Sequence, residues 1–281
     1  MKPPPLTLVR PRSVAECLAA LDVRDDSTVK VIAGGQSLMP LLALRMSTPD
    51  TLVDVGRLDE LTTVHTGPDA VVLGARVRHR QLVDGAGPAI LGTAARHIGH
   101  DAIRNRGTLG GSLAHADPAA ELPAVMVLVG AEIECRSVIG NRSIPARDFF
   151  AGPYMTSMRE DELLAAVRIP RPAAGARYGF VEFSPRHGDY ARAGAVCVVH
   201  AERDGTVRRV RAVLFAVGST PVDVSAALTV AHGGDVRTCP WEELAREAVA
   251  TLPPAEGDAV ARRRLAVVAL GRALRQASET P

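Results

Sequence analysis

Two glycine pairs constrain this chain most, because each lies between segments that favour regular structure. The first pair, residues 34–35, follows the β-branched run 29–32 and precedes the apolar, helix-like run 38–45. The second pair, residues 110–111, stands ahead of another helical pattern. Glycine lets backbone N–H groups approach a phosphate closely, and the start of a helix attracts negative charge. Two such segments could clamp the two phosphates of a dinucleotide, although two unrelated tight turns would give the same pattern.

The order of the remaining patterns predicts a two-domain chain of the α+β class. Strand and helix signals alternate through the first half, which favours α/β units, with helices expected at residues 93–99 and after an N-cap at Asp117. The proline- and glycine-containing segment 170–175 is the clearest linker signal, and it predicts domains over residues 1–172 and 176–281. Strand-like runs followed by a long stretch of helical spacing then predict a small sheet and helices in the second domain.

Composition excludes some classes of protein. Hydrophobic residues make up 47% of the chain, enough for a core, so a disordered or fibrous protein is excluded. The formal net charge is +2 with no long block of one sign, which says little about partners. No aromatic residue precedes Phe149, so a base-stacking nucleic-acid surface is not expected in the first half.

The cysteines and the apolar runs bear on metal sites and on location. The four cysteines are tens of residues apart and form no CxxC, so neighbours in sequence build neither a zinc knuckle nor an iron–sulfur loop, and no metal site is expected. No apolar run approaches the roughly 18 residues of a membrane span. The N-terminus lacks the apolar region of a secretory signal. We therefore expect a cytoplasmic protein with reduced thiols.

Three stretches, residues 33–37, 98–123 and 186–191, together resemble one family. It is the FAD-binding medium subunit of molybdenum hydroxylases, of the carbon monoxide dehydrogenase and xanthine dehydrogenase type. The resemblance covers nearly the whole chain, in order. It implies a PCMH-type FAD-binding domain of two α/β subdomains, followed by a C-terminal domain of the CO dehydrogenase flavoprotein type with a small antiparallel sheet and helices.

The resemblance also implies the FAD site. The first glycine segment would wrap the pyrophosphate and ribityl region, and the second would bind the other side through backbone N–H groups. Glu121 falls where the family often has an aspartate on the adenosine ribose hydroxyls, His115 where a residue contacts the phosphates or ribityl chain. Ile98 would lie over the ring system and Leu164 near the adenine or flavin edge. The full set of implied cofactor residues is Ala33, Gly34, Gly35, Gln36, Ser37, Leu38, Ile98, Thr108, Gly110, Gly111, Ser112, His115, Glu121 and Leu164.

Two further positions matter in the comparison with the family. Tyr190 falls where related subunits place a residue against the isoalloxazine, and it is the candidate gate for the electron acceptor. A lysine found near the flavin in the xanthine branch is replaced here by Val181 or Glu182. That departure puts any role of a cation at this place in doubt.

The resemblance implies an oxidoreductase that transfers electrons. A large partner would carry the molybdenum cofactor and a small partner the [2Fe–2S] clusters, and FAD here would pass electrons to an acceptor such as NAD or oxygen. Neither nucleic acid nor a membrane span is implied. Two alternatives stay open: a stand-alone FAD-dependent oxidase or dehydrogenase acting on a small molecule, and a non-catalytic scaffold that has lost FAD.

Overall fold

The computed structural model describes residues 5–23 and 26–279, which begin with a small parallel sheet. Its elements are β1 (Thr7–Val9), α1 (Val14–Leu21), β2 (Val29–Ile32), α2 (Leu38–Ala43) and β3 (Thr51–Asp54). Strand β3 lies between β1 and β2, and both pairings are parallel, because each strand is separated from the next by a helical crossover. The Ser13 hydroxyl caps α1 by accepting from the Glu16 amide.

A second subdomain surrounds a five-stranded antiparallel sheet. Its elements are β4 (Val64–Thr66), β5 (Ala70–Gly74), α3 (His79–Val83), α4 (Ala89–Ala95), α5 (Asp101–Arg104), α6 (Leu109–His115), α7 (Glu121–Val129), β6 (Glu132–Ser137), β7 (Gly140–Pro145), α8 (Ala146–Phe149), β8 (Phe150–Gly152), β9 (Met155–Thr156) and β10 (Leu163–Pro170). The strand order is β4-β5-β10-β6-β7, and β8 pairs with β9 in a separate hairpin. Helix α7 is buried on every side, which is typical of a helix enclosed between other elements.

The C-terminal domain is a four-stranded antiparallel sheet covered by helices on one face. Its elements are β11 (Ala176–Phe183), β12 (Ala193–Ala201), β13 (Val207–Phe215), β14 (Val222–Asp223), α9 (Trp241–Ala250) and α10 (Asp258–Glu279). Gly179 lets α10 lie close to β11, since a Cβ there would be 2.7 Å from the carbonyl carbon of Ala273. Across the described ranges, no helix, α10 included, has both the length and the apolar character that crossing a membrane requires.

The other face of this sheet packs on the first domain and shares one hydrophobic core with it. Phe180 and Phe215 from the C-terminal sheet stack with ring centroids 5.6 Å apart, and both belong to the same buried cluster as Leu73 and Met126 of the first domain. Such a continuous apolar interface holds two domains in a fixed arrangement. Residues at the junction therefore have defined positions relative to each other.

The predicted fold class is confirmed, and two predicted helices are wrong in position. The helix expected at residues 93–99 ends earlier, at Ala95. Asp117 does not cap a helix: its Oδ1 accepts from the Ala119 amide in a turn, and α7 begins only at Glu121. Aspartate side chains stabilise such local turns as readily as helix starts, so this sequence signal did not separate the two.

Candidate cofactor-binding site

The first glycine segment, residues 33–37, presents a row of unpartnered backbone N–H groups. No acceptor among the described residues receives a hydrogen bond from the amides of Gly34 to Leu38. Gly35 adopts a φ of +72°, and the Gln36 amide group donates back to the Gly34 carbonyl oxygen at 3.0 Å. Successive N–H groups of this kind form an anion-binding surface. The segment therefore offers five donors to a phosphate or another anion.

The second glycine segment, residues 107–112, is the start of a helix rather than a loop. Its amides are used within the protein: Leu109 donates to the Val77 carbonyl and Gly110 to the Ala75 carbonyl. Gly111 and Ser112 donate to the hydroxyl and the carbonyl of Thr108, which caps α6. These four amides therefore already have acceptors within the protein, and the expectation that this segment binds through backbone N–H groups stays a prediction. The Thr108 amide and the Ser112 hydroxyl have no partner among the described residues, and both are free donors of this segment.

The two segments touch through their backbones. A Cβ at Gly34 would lie 2.8 Å from the carbonyl carbon of Arg106 and 2.9 Å from the Cα of Gly107, and nearer still to the Arg106 carbonyl oxygen. At Gly110, a Cβ would lie 2.9 Å from the Ala75 carbonyl oxygen. Glycine is thus required at both positions by contact between protein backbones. We call the surface formed by the two segments the cradle.

Three arginines lie beside the cradle. The Arg78 guanidinium donates to the Arg106 carbonyl oxygen. Partial burial lowers the pKa of Arg78 from its ordinary value, and the charges of Arg76 and Arg106 lower it further. Arg76 faces Asp59 at 3.7 Å, whereas neither Arg78 nor Arg106 forms an ion pair with any described acidic group. The uncompensated positive charge favours an anionic ligand in the cradle.

The His79 side chain contacts the backbone of the second glycine segment. Its Nε2 lies 3.0 Å from the Thr108 carbonyl oxygen, so Nε2 carries the hydrogen and Nδ1 is left without a partner among the described residues. The side chain is buried, and burial lowers the pKa of His79 to about 4. The neutral imidazole is therefore the form that fits the folded protein.

This burial predicts a loss of stability in acid. Because the folded-state pKa is below the ordinary value, the unfolded chain binds the proton first, and stability falls as the pH drops from about 6.5 toward 4. Thermal denaturation across that range should show a weaker acid dependence for His79→Gln, whose amide can still donate to Thr108. An acid dependence identical to that of the wild type would contradict this role of His79.

A second group of side chains lies at the junction of the two domains. The His115 ring, at the end of α6, is 5.1 Å from the ring of Tyr154, which lies in the β8–β9 turn. Tyr154 and Ala116 both have left-handed backbone (φ 59° and 50°), and the Tyr154 amide donates to the Ala116 carbonyl oxygen at 2.9 Å. Strain of this kind often marks functional sites. Burial and the nearby Asp117 and Tyr190 raise the pKa of Tyr154.

Tyr190 itself is 75% exposed at the surface of this junction. Its turn packs directly on the turn that carries Ile98, because a Cβ at Gly188 would be 2.7 Å from the Gly99 carbonyl oxygen. Arg104 holds that second turn by donating to the Ile98 and Gly99 carbonyl oxygens. The fold thus brings the predicted positions Ile98 and Tyr190 together from separate domains. Sequence reasoning missed Tyr154, for which the pattern offers no signal.

Two predicted positions are largely enclosed. Leu164 is 4% exposed in β10, so its side chain belongs to the core and only its backbone can face a ligand. A shift in strand register just after Leu164 gives this strand a local bulge, a feature common beside binding sites. Glu121 is 8% exposed at the start of α7, and Glu182 of β11 lies against it. Glu182, rather than Val181, therefore occupies the side of β11 that faces the first domain.

Two family models match nearly the whole chain. Residues 4–172 match the FAD binding domain in molybdopterin dehydrogenase, and residues 179–277 match the CO dehydrogenase flavoprotein C-terminal domain. The chain belongs to the FAD-binding medium subunits of the molybdenum hydroxylases. It is accordingly an oxidoreductase subunit whose cofactor is FAD, as its resemblance implies.

Relatives of this medium subunit act in several dehydrogenase systems. The alpha subunit of the 6-hydroxypseudooxynicotine dehydrogenase complex of Paenarthrobacter nicotinovorans is 41% identical, over 79% of this chain and 76% of that protein. The carbon monoxide dehydrogenase medium chain of Hydrogenophaga pseudoflava is 33% identical over 99% and 98% of the two chains. Among solved structures, quinoline 2-oxidoreductase from Pseudomonas putida 86 has a chain that superposes with a TM-score of 0.92 at 34% identity, covering 99% of both.

The cradle fits the pyrophosphate of this medium subunit's cofactor. Five free N–H groups, the Ser37 and Ser112 hydroxyls and the nearby Arg78 and Arg106 are the donors that two phosphates require. The glycine at position 34 keeps the two segments in contact, so that these donors lie on adjacent segments. The residues present are therefore suited to FAD.

Proposed function

We propose that this chain passes electrons through bound FAD from the [2Fe–2S] clusters of a small partner subunit to an acceptor such as NAD or oxygen. A large partner with a molybdenum cofactor would oxidise the substrate. The row of free amides at residues 34–38 carries the proposal, because it is a prepared phosphate site in a chain of this family. Support also comes from relatives named as subunits of dehydrogenase complexes. The buried, unpaired thiols of Cys17, Cys135 and Cys197 agree with a proposed cytoplasmic location.

FAD supplies the redox chemistry, since it accepts electrons singly and releases them in pairs. The chain's own residues hold and orient it. Gly34 to Leu38 would bind the pyrophosphate, with the Ser112 hydroxyl and His115 on the other side. Glu121 would face the ribose hydroxyls, and Ile98 and Tyr190 would enclose the ring system. These assignments join the implied residues to the cradle and the domain junction described above.

The domain division at residues 1–172 and 176–281 gives each part a separate task in this proposal. The first domain provides the cradle, and the second provides Glu182 and Tyr190 at the junction.

Cofactor content of the purified full chain tests the proposed function. One FAD per chain is expected. A colourless protein that takes up no FAD would favour the scaffold alternative, and a flavin reduced by a small organic substrate without any partner would favour the stand-alone oxidase.

Tyr190 is expected to control access of the acceptor. The ring is exposed and makes few contacts, so replacing Tyr190 with alanine should leave FAD bound while changing the reoxidation rate several-fold. Stopped-flow reoxidation of the reduced protein by several acceptors measures this. Tyr190→Phe, which keeps the ring, is the matched control and should resemble the wild type. Unchanged rates for the alanine variant with every acceptor would contradict a gate at this position.

A further inference from the structure

Glu182 is a buried carboxyl at the contact between the two domains. Its side chain is 1% exposed, and neither oxygen has a hydrogen-bond partner of good geometry among the described residues. Phe180, two residues earlier on the same face of β11, packs at 4.9 Å from the His97 ring of the first domain. Since alternate residues of a strand share a face, Glu182 points toward the same domain. A buried carboxylate without a partner is strongly disfavoured.

The groups that face Glu182 offer little positive charge. Glu121 approaches from α7, with Asp117 close behind it. His97, just after α4, places its Nδ1 3.8 Å from the nearer Glu182 oxygen, and the His187 ring lies 6.0 Å from the His97 ring. Within residues 5–23 and 26–279, no lysine or arginine forms an ion pair with either glutamate. The carboxyl groups of Glu121 and Glu182 therefore lie close together in a largely buried position.

Such a pair keeps a proton at neutral pH. Burial, together with the charge of Glu182, raises the pKa of Glu121 to about 8, and burial raises the pKa of Glu182 to about 7. His97 does not compensate, because burial and the nearby His187 lower its pKa. Two adjacent carboxyls that cannot both ionise hold one proton between them.

We propose that Glu182 is a positioning residue for the cofactor: the proton that it shares with Glu121 holds the Glu121 carboxyl in place, and losing that proton in alkaline solution weakens FAD binding. This inference rests on the proposed function, in which Glu121 faces the ribose hydroxyls. A doubly ionised pair would push α7 and β11 apart, since like charges at short range repel. In the proposed function the cofactor is bound beside α7 and β11, so their separation would disturb its site.

The sign of the effect follows from the direction of these shifts. Both folded-state pKa values lie above the ordinary value, so the folded protein binds the proton more tightly than the unfolded chain does. The stabilisation is present in acid and is lost as the pH rises through about 7 to 8. This is the reverse of the acid effect expected for His79.

The test uses the full chain, its Glu182→Gln variant and FAD. The FAD dissociation constant, followed by flavin fluorescence, should rise about tenfold in the wild type between about pH 6 and 9. A proton that the FAD-bound protein holds about ten times more tightly than the FAD-free protein would produce this change. In Glu182→Gln the rise should be clearly smaller, because a doubly ionised pair can no longer form and only the buried Glu121 still titrates. Glu162→Gln is the matched control: Glu162 is also buried but pairs with Arg142 at 2.6 Å, so its variant should keep the alkaline loss.

The melting temperature over the same pH range gives a second readout that needs no FAD. It should fall in alkaline solution for the wild type and for Glu162→Gln, and fall less for Glu182→Gln, which keeps only one buried carboxyl of the pair. Should Glu182→Gln fail to fold, Glu121→Gln is expected to show the same reduced fall, because only Glu182 then titrates. An equal alkaline loss in wild type and Glu182→Gln would overturn the inference. A wild type that binds no FAD at any pH would instead overturn the proposed function, while the melting profiles would still decide whether the proton is shared.

Discussion

Replacing Gly34 with valine is expected to abolish FAD binding. The new Cβ would lie within 3 Å of three backbone atoms at the start of the second glycine segment, namely the carbonyl oxygen and carbon of Arg106 and the Cα of Gly107. Backbone cannot move aside as the end of a side chain can. The two segments would have to separate, and the free amides of Gly34 to Leu38 would shift away from the second segment. Flavin content after purification and reconstitution with FAD measures the loss. The sequence alone suggested another reason, a Cβ in the space of the phosphate; the structure assigns the clash to the protein itself.

A glycine without such a neighbour provides the control. At Gly67 a Cβ would meet its nearest atom, the Ala70 carbonyl oxygen, at an ordinary 3.4 Å, so Gly67→Ala should keep the flavin. Circular dichroism should show that Gly34→Val remains folded elsewhere, because its clash is confined to the cradle. Full flavin occupancy in Gly34→Val would show that the contact between the two segments is dispensable.

Replacing Phe215 with alanine is expected to cost about 3–5 kcal/mol of stability, the range for removing a large buried ring. Phe215 is completely buried, stacks on Phe180 and lies over Gly194, where any Cβ would collide with the ring. The cavity would open in the core that the two domains share. Because the proposed FAD site extends to the junction, flavin should also dissociate faster.

Calorimetric unfolding measures this prediction, with Phe183→Ala as the control. Phe183 is only partly buried, contacts the other core of the C-terminal domain and has Arg272 over its ring at 5.5 Å. Phe183→Ala should lower the free energy of unfolding by less than Phe215→Ala does, and it should leave flavin retention unchanged. Equal effects of the two substitutions would contradict the assignment of Phe215 to the domain interface.

Local sequence patterns predicted the structure of the first glycine segment well and that of the second glycine segment poorly. The alternation of strand and helix signals around Gly34 and Gly35 gave the parallel sheet and the segment that enters α2, because short-range chemistry decides that geometry. At Gly110 and Gly111 the same glycine signal predicted a loop. There the Thr108 hydroxyl caps a helix, and the segment after β5 supplies acceptors for the amides of Leu109 and Gly110. Those acceptors lie some thirty residues earlier in the chain, so no local pattern reveals them.

The domain junction required the structure. Glu121 and Glu182 are about sixty residues apart in sequence, and neither residue alone indicates a buried pair. The resemblance to the family did place both near the cofactor, and it left open whether residue 181 or 182 replaces the lysine of the xanthine branch. The alternation of side chains along β11 puts Glu182, and not Val181, on the face toward the first domain. Tyr154 was found only through its left-handed backbone and its contact with His115.

The central claim is that FAD in this chain receives electrons from a partner rather than from a substrate. Anaerobic mixing of the FAD-loaded chain with a reduced [2Fe–2S] subunit, followed by the visible absorption of the flavin, tests it most directly. The flavin absorption should disappear on mixing with the reduced partner and stay unchanged with small organic substrates alone. A flavin that stays oxidised with the reduced partner subunit, or that a small organic substrate reduces in the absence of that subunit, would contradict the account.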